Sequence, residues 1–181
     1  MLHTLARIGE EANKETIIWG VGGSLLLYFH GLLEHPRDID ILVAERDAGD
    51  LQALLSKLGK EQVVSAKEPF RTKYFSKYAM PSTKVDCMGA LAIAHDAGVY
   101  RVDLTTQSIV GFQQVHGIPI PLCALEDWYV LYALMPDRED KVALLERYFA
   151  VHGIQHPGLF EQALQQPLPK KLHNRILQVI G

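Results

Sequence analysis

Two aspartates one residue apart, Asp38 and Asp40, lie in the apolar run Asp38-Ile-Asp-Ile-Leu-Val43. On a β-strand, residues i and i+2 project to the same face, so both carboxylates would be within reach of one hard cation. Mg²⁺ takes one or two carboxylates and fills the rest of its shell with phosphate oxygens and water. A third carboxylate, Asp86 in Lys84-Val-Asp-Cys-Met88, lies in a second strand-like run and would complete a site for one or two ions. Such a site can clamp a nucleoside triphosphate and lower the pKa of an attacking hydroxyl. Upstream stands Gly20-Val-Gly-Gly-Ser24. There Gly22, Gly23 and Ser24 would offer backbone N–H groups and a hydroxyl to phosphates, helped by the N-terminus of the helix they open. These parts match phosphoryl-group chemistry, which depends on positioning and charge neutralisation more than on covalent steps.

Each feature also has a plainer reading. An isolated Asp-x-Asp is usually a solvated strand end. Asp86 could form a salt bridge with Lys84, and the glycines could serve only a tight strand-to-helix turn. Asp103, in Arg101-Val-Asp-Leu104, competes for the place of third carboxylate. Arg71, Lys73, Lys77 and Lys84 could receive a triphosphate or an anionic acceptor, or could simply line the solvent face of a strand. Tyr74, Phe75 and Tyr78 could stack a base, though strand core suits them better. His30 and His35 are too irregularly placed for zinc. Glu126-Asp127 suits the first turn of a helix, where the dipole favours acids.

The elements that must hold these residues follow from periodicity. Residues 2–14 read as a helix, with Leu2, Leu5, Ala6, Ile8 and Ala12 on one face. Thr16–Trp19 reads as a strand that ends at the glycines, followed by a helix over about 23–33 that stops before Pro36. Arg37–Ala44 is a strand, 47–59 a helix closed by Gly59, and Glu61–Ala66 a further strand. Phe70–Met80 is one strand or a hairpin arm, Pro81-Ser82 a turn, and Lys84–Met88 a strand. Ala90–Ala94 is ambiguous, whereas Val99–Leu104 and Gly117–Pro121 read as short strands or connectors. Four helices follow: Leu125–Leu134, Asp137–Val151, Pro157–Gln165 and Leu168–Ile180. The fold class is therefore α+β, a mixed sheet flanked by helices with a helical C-terminal part. The expected division falls into an α/β domain over 1–120 and a helical region over 121–181.

With 181 residues, 48% apolar and 22% charged, the chain has the balance of a globular domain able to bury a sizeable core. A net charge of −3 gives no global basic footprint for nucleic acid, although a local patch would override that. The two cysteines, Cys87 and Cys123, lack zinc-ligand spacing and read as reduced thiols. With no signal-like start and no apolar run of about 20 residues, the expected location is cytoplasmic, without a membrane.

The two-part motif resembles the signature of the DNA polymerase β-like nucleotidyltransferase superfamily in its small bacterial branches. Gly-Gly-Ser is followed after about a dozen residues by Asp-Ile-Asp-Ile, and Asp86 in Lys-Val-Asp-Cys-Met matches the position of the family's later carboxylate. The likeness covers about residues 16–90. Ile118–Asp127 and Asp137-Arg-Glu-Asp-Lys141 match looser family elements. The resemblance implies transfer of a nucleoside monophosphate from an NTP, such as ATP, to an acceptor hydroxyl, with two Mg²⁺ ions and release of pyrophosphate. It makes Asp38, Asp40 and Asp86 both the metal ligands and the catalytic residues, Asp86 on the acceptor side. It gives Gly22, Gly23 and Ser24 to the phosphates, and Lys84, from the basic set above, is the lysine expected to join them on the nucleotide. The acceptor would be a small molecule, an RNA end or a protein hydroxyl. A non-catalytic member that binds a nucleotide or a partner, as in a toxin–antitoxin-like pair, is the alternative. In one departure, family members often carry a lysine in the helix after the Glu-Asp pair, where this chain has Trp128-Tyr-Val-Leu-Tyr-Ala-Leu134.

Overall fold

A computed structural model describes residues 1–65 and 67–181. Helix α1 (Leu2–Lys14) leads to strand β1 (Trp19–Gly22), helix α2 (Gly23–Phe29) and strand β2 (Ile39–Val43). Helix α3 (Ala48–Leu58) follows, then strands β3 (Lys60–Gln62), β4 (Tyr74–Met80), β5 (Thr83–Gly89), β6 (Leu91–His95), β7 (Gly98–Val102), β8 (Ile109–Val115) and β9 (Ile118–Cys123). Four helices close the chain: α4 (Leu125–Leu134), α5 (Glu139–His152), α6 (Pro157–Leu164) and α7 (Lys170–Ile180). Seven strands form a mixed sheet in the order β3-β4-β5-β2-β1-β9-β8, while β6 and β7 pair as a separate hairpin. Strand β2 runs antiparallel to β1 and parallel to β5, so it lies at the centre of the sheet. The α+β class with a helical C-terminal part is as the sequence implies.

Alternation along the strands separates the two faces of the sheet. Trp19, Val21, Ile41, Cys87 and Tyr78 are buried on the face covered by α1 and α3. Gly9 lets α1 approach that face closely, because a Cβ there would overlap Ile120. Gly20, Gly22, Asp40, Asp86 and Lys77 belong to the opposite face.

Three expected boundaries move. The first strand is Trp19–Gly22 instead of Thr16–Trp19, so Gly20 and Gly22 lie within it and Gly23 opens α2. Thr16 has φ +54°, which breaks the extended run, and pairing begins at Trp19↔Val43. Glycine is tolerated in this central strand because other groups press on it: a Cβ on Gly20 would crowd Cys123 and Ile109, and one on Gly22 would overlap Trp128. The helix expected over 23–33 stops at Phe29. Gly31 (φ +70°) ends it with a pair of C-terminal bonds, Gly31 N–H to Tyr28 C=O and Leu32 N–H to Leu27 C=O. Strand β8 went unforeseen, and the ambiguous run at 90–94 is strand. The strand expected over 61–66 is confined to Lys60–Gln62, and its last residue lies outside the described ones.

The C-terminal helices are joined by polar anchors as well as apolar packing. Tyr129, Phe149 and Phe160 meet edge to face with ring centroids 5.6–6.0 Å apart. The Glu146 carboxylate accepts from Tyr129 Oη (2.9 Å) and from Arg175 Nε and Nη2 (2.5 and 3.1 Å), joining α4, α5 and α7. Glu126, only 2% exposed, does more than favour its own helix dipole: its Oε1 accepts the Gln155 and His156 N–H groups at 3.0 and 2.9 Å, just before α6. Replacing Glu126 with Ala takes this acceptor from two part-buried backbone donors. Denaturant unfolding of Glu126→Ala is expected to show a loss of roughly 2–4 kcal/mol, with Glu126→Gln losing less because it keeps an acceptor. Equal stability of Glu126→Ala and the native chain would rule out this anchor.

Candidate active site

The register of the sheet assembles the site. Gly22 pairs with Asp40, Asp40 with Asp86, and Asp86 with Lys77, giving one continuous row across β1, β2, β5 and β4. Directly paired residues project to the same face. Asp38 immediately precedes β2 and shares the face of Asp40. All three aspartates are half-buried.

The glycine turn is shaped around this row. Gly23 has φ +60°, a left-handed conformation that suits glycine. A Cβ on Gly23 would overlap Asp40 Oδ2, so the carboxylate lies directly against the turn. Ser24 sits in the first turn of α2, where it provides no cap. Its Oγ accepts the Arg37 N–H at 3.1 Å and ties the turn to the residue before Asp38. Helix α2 is only seven residues long, so its dipole adds little to phosphate binding.

Electrostatics reflect the crowding. Burial pushes the Asp40 carboxyl up to about 8, and the repulsion of Asp38 and Asp86 adds to the rise. The Asp38 carboxyl is also raised, by burial first and then by Asp86. Lys77 and Arg138 pull both down, and Arg37 does so for Asp38. The Lys77 ammonium donates to Asp86 Oδ2 at 2.6 Å. The partner of Asp86 is therefore Lys77, its cross-strand neighbour, and not Lys84 two residues along its own strand. Lys84 is exposed on the same face as Asp86. Asp103, the competing carboxylate, lies just past β7 in the separate hairpin and outside the row.

Helix α4 covers part of this face. Trp128 presses on Gly22, and the buried Tyr132, one turn later, lies close enough to Asp40 that the carboxylate helps raise its phenol above the ordinary range, after burial. The turn between α4 and α5 contains Asp137 in a left-handed conformation (φ +56°), followed by the exposed Arg138. Four residues of this surrounding were not singled out for the site by their pattern: Lys77 in its pairing role, Trp128, Tyr132 and Arg138. An Arg in a helix–helix turn and aromatics at i, i+4 look like ordinary surface and core. Only the basic residue at 138 within the looser family element offered a signal.

The side chains of Asp38, Asp40 and Asp86 all offer carboxylate oxygens, the donor type a hard divalent cation takes. Asp38 and Asp40 fit best. On the Asp86 side the Lys77 ammonium already occupies one oxygen. Among the described residues, no group of three or more His, Cys, Asp or Glu side chains is gathered to hold a metal ion.

Comparison with solved structures bears on the fold. The crystal structure of TM1012 from Thermotoga maritima, described as a candidate nucleotidyltransferase, is 25% identical with a TM-score of 0.62, over 83% of this chain and 93% of that one. The lincomycin-bound structure of the lincosamide antibiotic adenylyltransferase LnuA is 13% identical with a TM-score of 0.50, over 80% of this chain and 95% of that one, a likeness of fold alone. No protein-family model and no curated protein sequence matches the chain. The chain has a nucleotidyltransferase-like fold, related to that of polymerase β superfamily members. Among the described residues, no helix is long and apolar enough to cross a membrane.

The raised Asp40 carboxyl carries a stability signature. Its proton is held to about pH 8 in the folded chain, against an ordinary value of 3.8. The folded state therefore binds more protons than the unfolded chain between these limits, and stability falls as pH rises from about 4 to about 8, then levels off. Asp40→Asn removes this slope. Thermal or denaturant unfolding at pH 8 without divalent ions is expected to find the variant more stable by roughly 2–4 kcal/mol, with the gain shrinking towards pH 4. A gain that stays constant with pH would contradict the burial and repulsion described for Asp40.

Proposed function

We propose that the chain is a nucleotidyltransferase that moves a nucleoside monophosphate from an NTP to an acceptor hydroxyl and releases pyrophosphate. The observation that carries this reading is the row Gly22–Asp40–Asp86, with Asp38 beside it, set in a nucleotidyltransferase-like sheet. Asp38 and Asp40 would hold Mg²⁺, with Asp86 beside them on the acceptor side. When bound, the ion would neutralise triphosphate charge and favour ionisation of the acceptor hydroxyl.

The remaining work falls to the chain's own groups. Gly22 and Gly23, buried against Trp128 and Asp40, form the turn that would offer backbone N–H groups to the phosphates. Ser24 Oγ accepts from Arg37 N–H, which leaves the hydroxyl proton available for a phosphate oxygen. Lys84, exposed on the face of Asp86, meets the anionic part of the nucleotide. One oxygen of Asp86 is taken by Lys77. The other remains to accept the acceptor's proton, which puts the base next to the attacking atom. The acceptor is a small molecule, an RNA end or a protein hydroxyl.

The Lys77–Asp86 pair favours a second reading, in which the chain binds nucleotide or a partner without catalysis. The two separate in one experiment. Incubated with labelled NTPs, Mg²⁺ and cell extract, the native chain is expected to transfer label to an acceptor. Asp40→Ala is expected to lose at least about 100-fold, the scale of losing one preorganised electrostatic group. Equal labelling by both would sink the Asp40 mechanism, and none by either with nucleotide bound would favour the second reading.

A further inference from the structure

We propose that Lys77 supplies the second positive charge of this site, so that the site takes a single divalent ion, at Asp38 and Asp40, where two are implied by family resemblance. This inference rests on the reading in the preceding subsection. Lys77 is placed by the backbone ladder, because it pairs directly with Asp86 between β4 and β5, and its position is no accident of a flexible surface chain. Its ammonium reaches Asp86 Oδ2 at 2.6 Å, and the Asp86 side chain is only 13% exposed. The same ammonium lies 5.4 Å from the Phe75 ring centroid, a cation–π contact that helps hold the lysine.

The charge count is consistent with this placement. Lys77 opposes the repulsion felt by both Asp38 and Asp40, ahead of either arginine. Arg138 and Arg37 are exposed and form no ion pair among the described residues, so neither is committed to a carboxylate. A divalent ion held by Asp86 would have to expel the ammonium from a half-buried carboxylate. An ammonium there supplies a fixed positive charge beside the acceptor oxygen without needing an ion to be bound first. Lysine is suited to this role as a compact point charge with three donors.

The test counts ions. The full chain is mixed with Mn²⁺ and the four α,β-methylene ribonucleoside triphosphates supplied together, which bind without reacting at the α-phosphate. Bound Mn²⁺ per chain is measured by equilibrium dialysis, and Mn–Mn coupling by electron paramagnetic resonance. The native chain and Lys77→Arg are expected to bind one ion without coupling. Lys77→Met, which frees Asp86, is expected to bind two ions with coupling. Two coupled ions in the native chain would overturn the proposal while leaving the nucleotidyltransferase reading intact, and this outcome needs no variant to fold. One ion in folded Lys77→Met would overturn it as well. No ion bound by the native chain would overturn both readings together.

Discussion

The site depends on the parallel ladder between β2 and β5, which sets Asp40 beside Asp86. Crowding these carboxyls into one row is unfavourable, and burial with mutual repulsion raises both Asp40 and Asp38. The ladder holds them there because five residue pairs, Ile39↔Val85 to Val43↔Gly89, share the register. Ile39, Ile41, Val85 and Cys87 are buried on the other face of the same strands. A slip of one residue would relieve the carboxylates but turn that apolar set towards the wrong face. Fully burying each such side chain contributes about 1.5–3 kcal/mol, so the core outweighs the repulsion. The fold holds a strained charge set because its hydrophobic pattern leaves no alternative register.

The helices after β9 reduce that strain only in part. Trp128 and Tyr132 of α4 exclude water from one side of the row, which worsens the desolvation of Asp40. They are held by a network with little freedom: Tyr129, between them on the same helix, is fixed by Glu146, which is fixed in turn by Arg175. The stability of the C-terminal part is thus spent on keeping one side of the carboxylates dry. Relief comes from nearby cations, Lys77 first for both Asp38 and Asp40, then Arg37 for Asp38, and Arg138, which the left-handed Asp137 precedes in the turn after α4.

Much of this was legible in residue order, and the reasons for the gaps are physical. The C-terminal helices were readable because Leu125–Leu134 and its successors carry long apolar periodicities between clear breakers. The ends of α2 and β1 were not, because Gly31 and the β1 glycines act through specific contacts and backbone angles that composition does not encode. The pairing of Asp38, Asp40 and Asp86 on one face followed from strand alternation together with family resemblance. Lys77 was visible only as one of several basic residues in Phe70–Met80. Choosing it over Lys84 needs the antiparallel register of β4 and β5, which is set by the Pro81-Ser82 turn and by burial of Tyr78 and Met80. Register between strands is a tertiary property, and one-dimensional spacing carries it weakly.

The spacing of the motif itself has a structural explanation. Gly-Gly-Ser and Asp-Ile-Asp are separate in the chain, yet three contacts close the loop between them. Gly22 pairs with Asp40 across β1 and β2, Gly23 yields its Cβ position to the Asp40 carboxylate, and Ser24 Oγ takes the Arg37 N–H. Each glycine is therefore required by a neighbour already in the chain, Trp128 for Gly22 and Asp40 for Gly23, whether or not phosphate ever binds. On this account the glycines alone say little about a ligand, as a tight turn would need them in any case. The informative element is Asp40, because a carboxylate wedged against a glycine backbone, between two other carboxylates, is costly to keep. Apolar packing alone would be better served by an uncharged residue at that position, and the rise of the Asp40 carboxyl to about 8 is the mark of that cost.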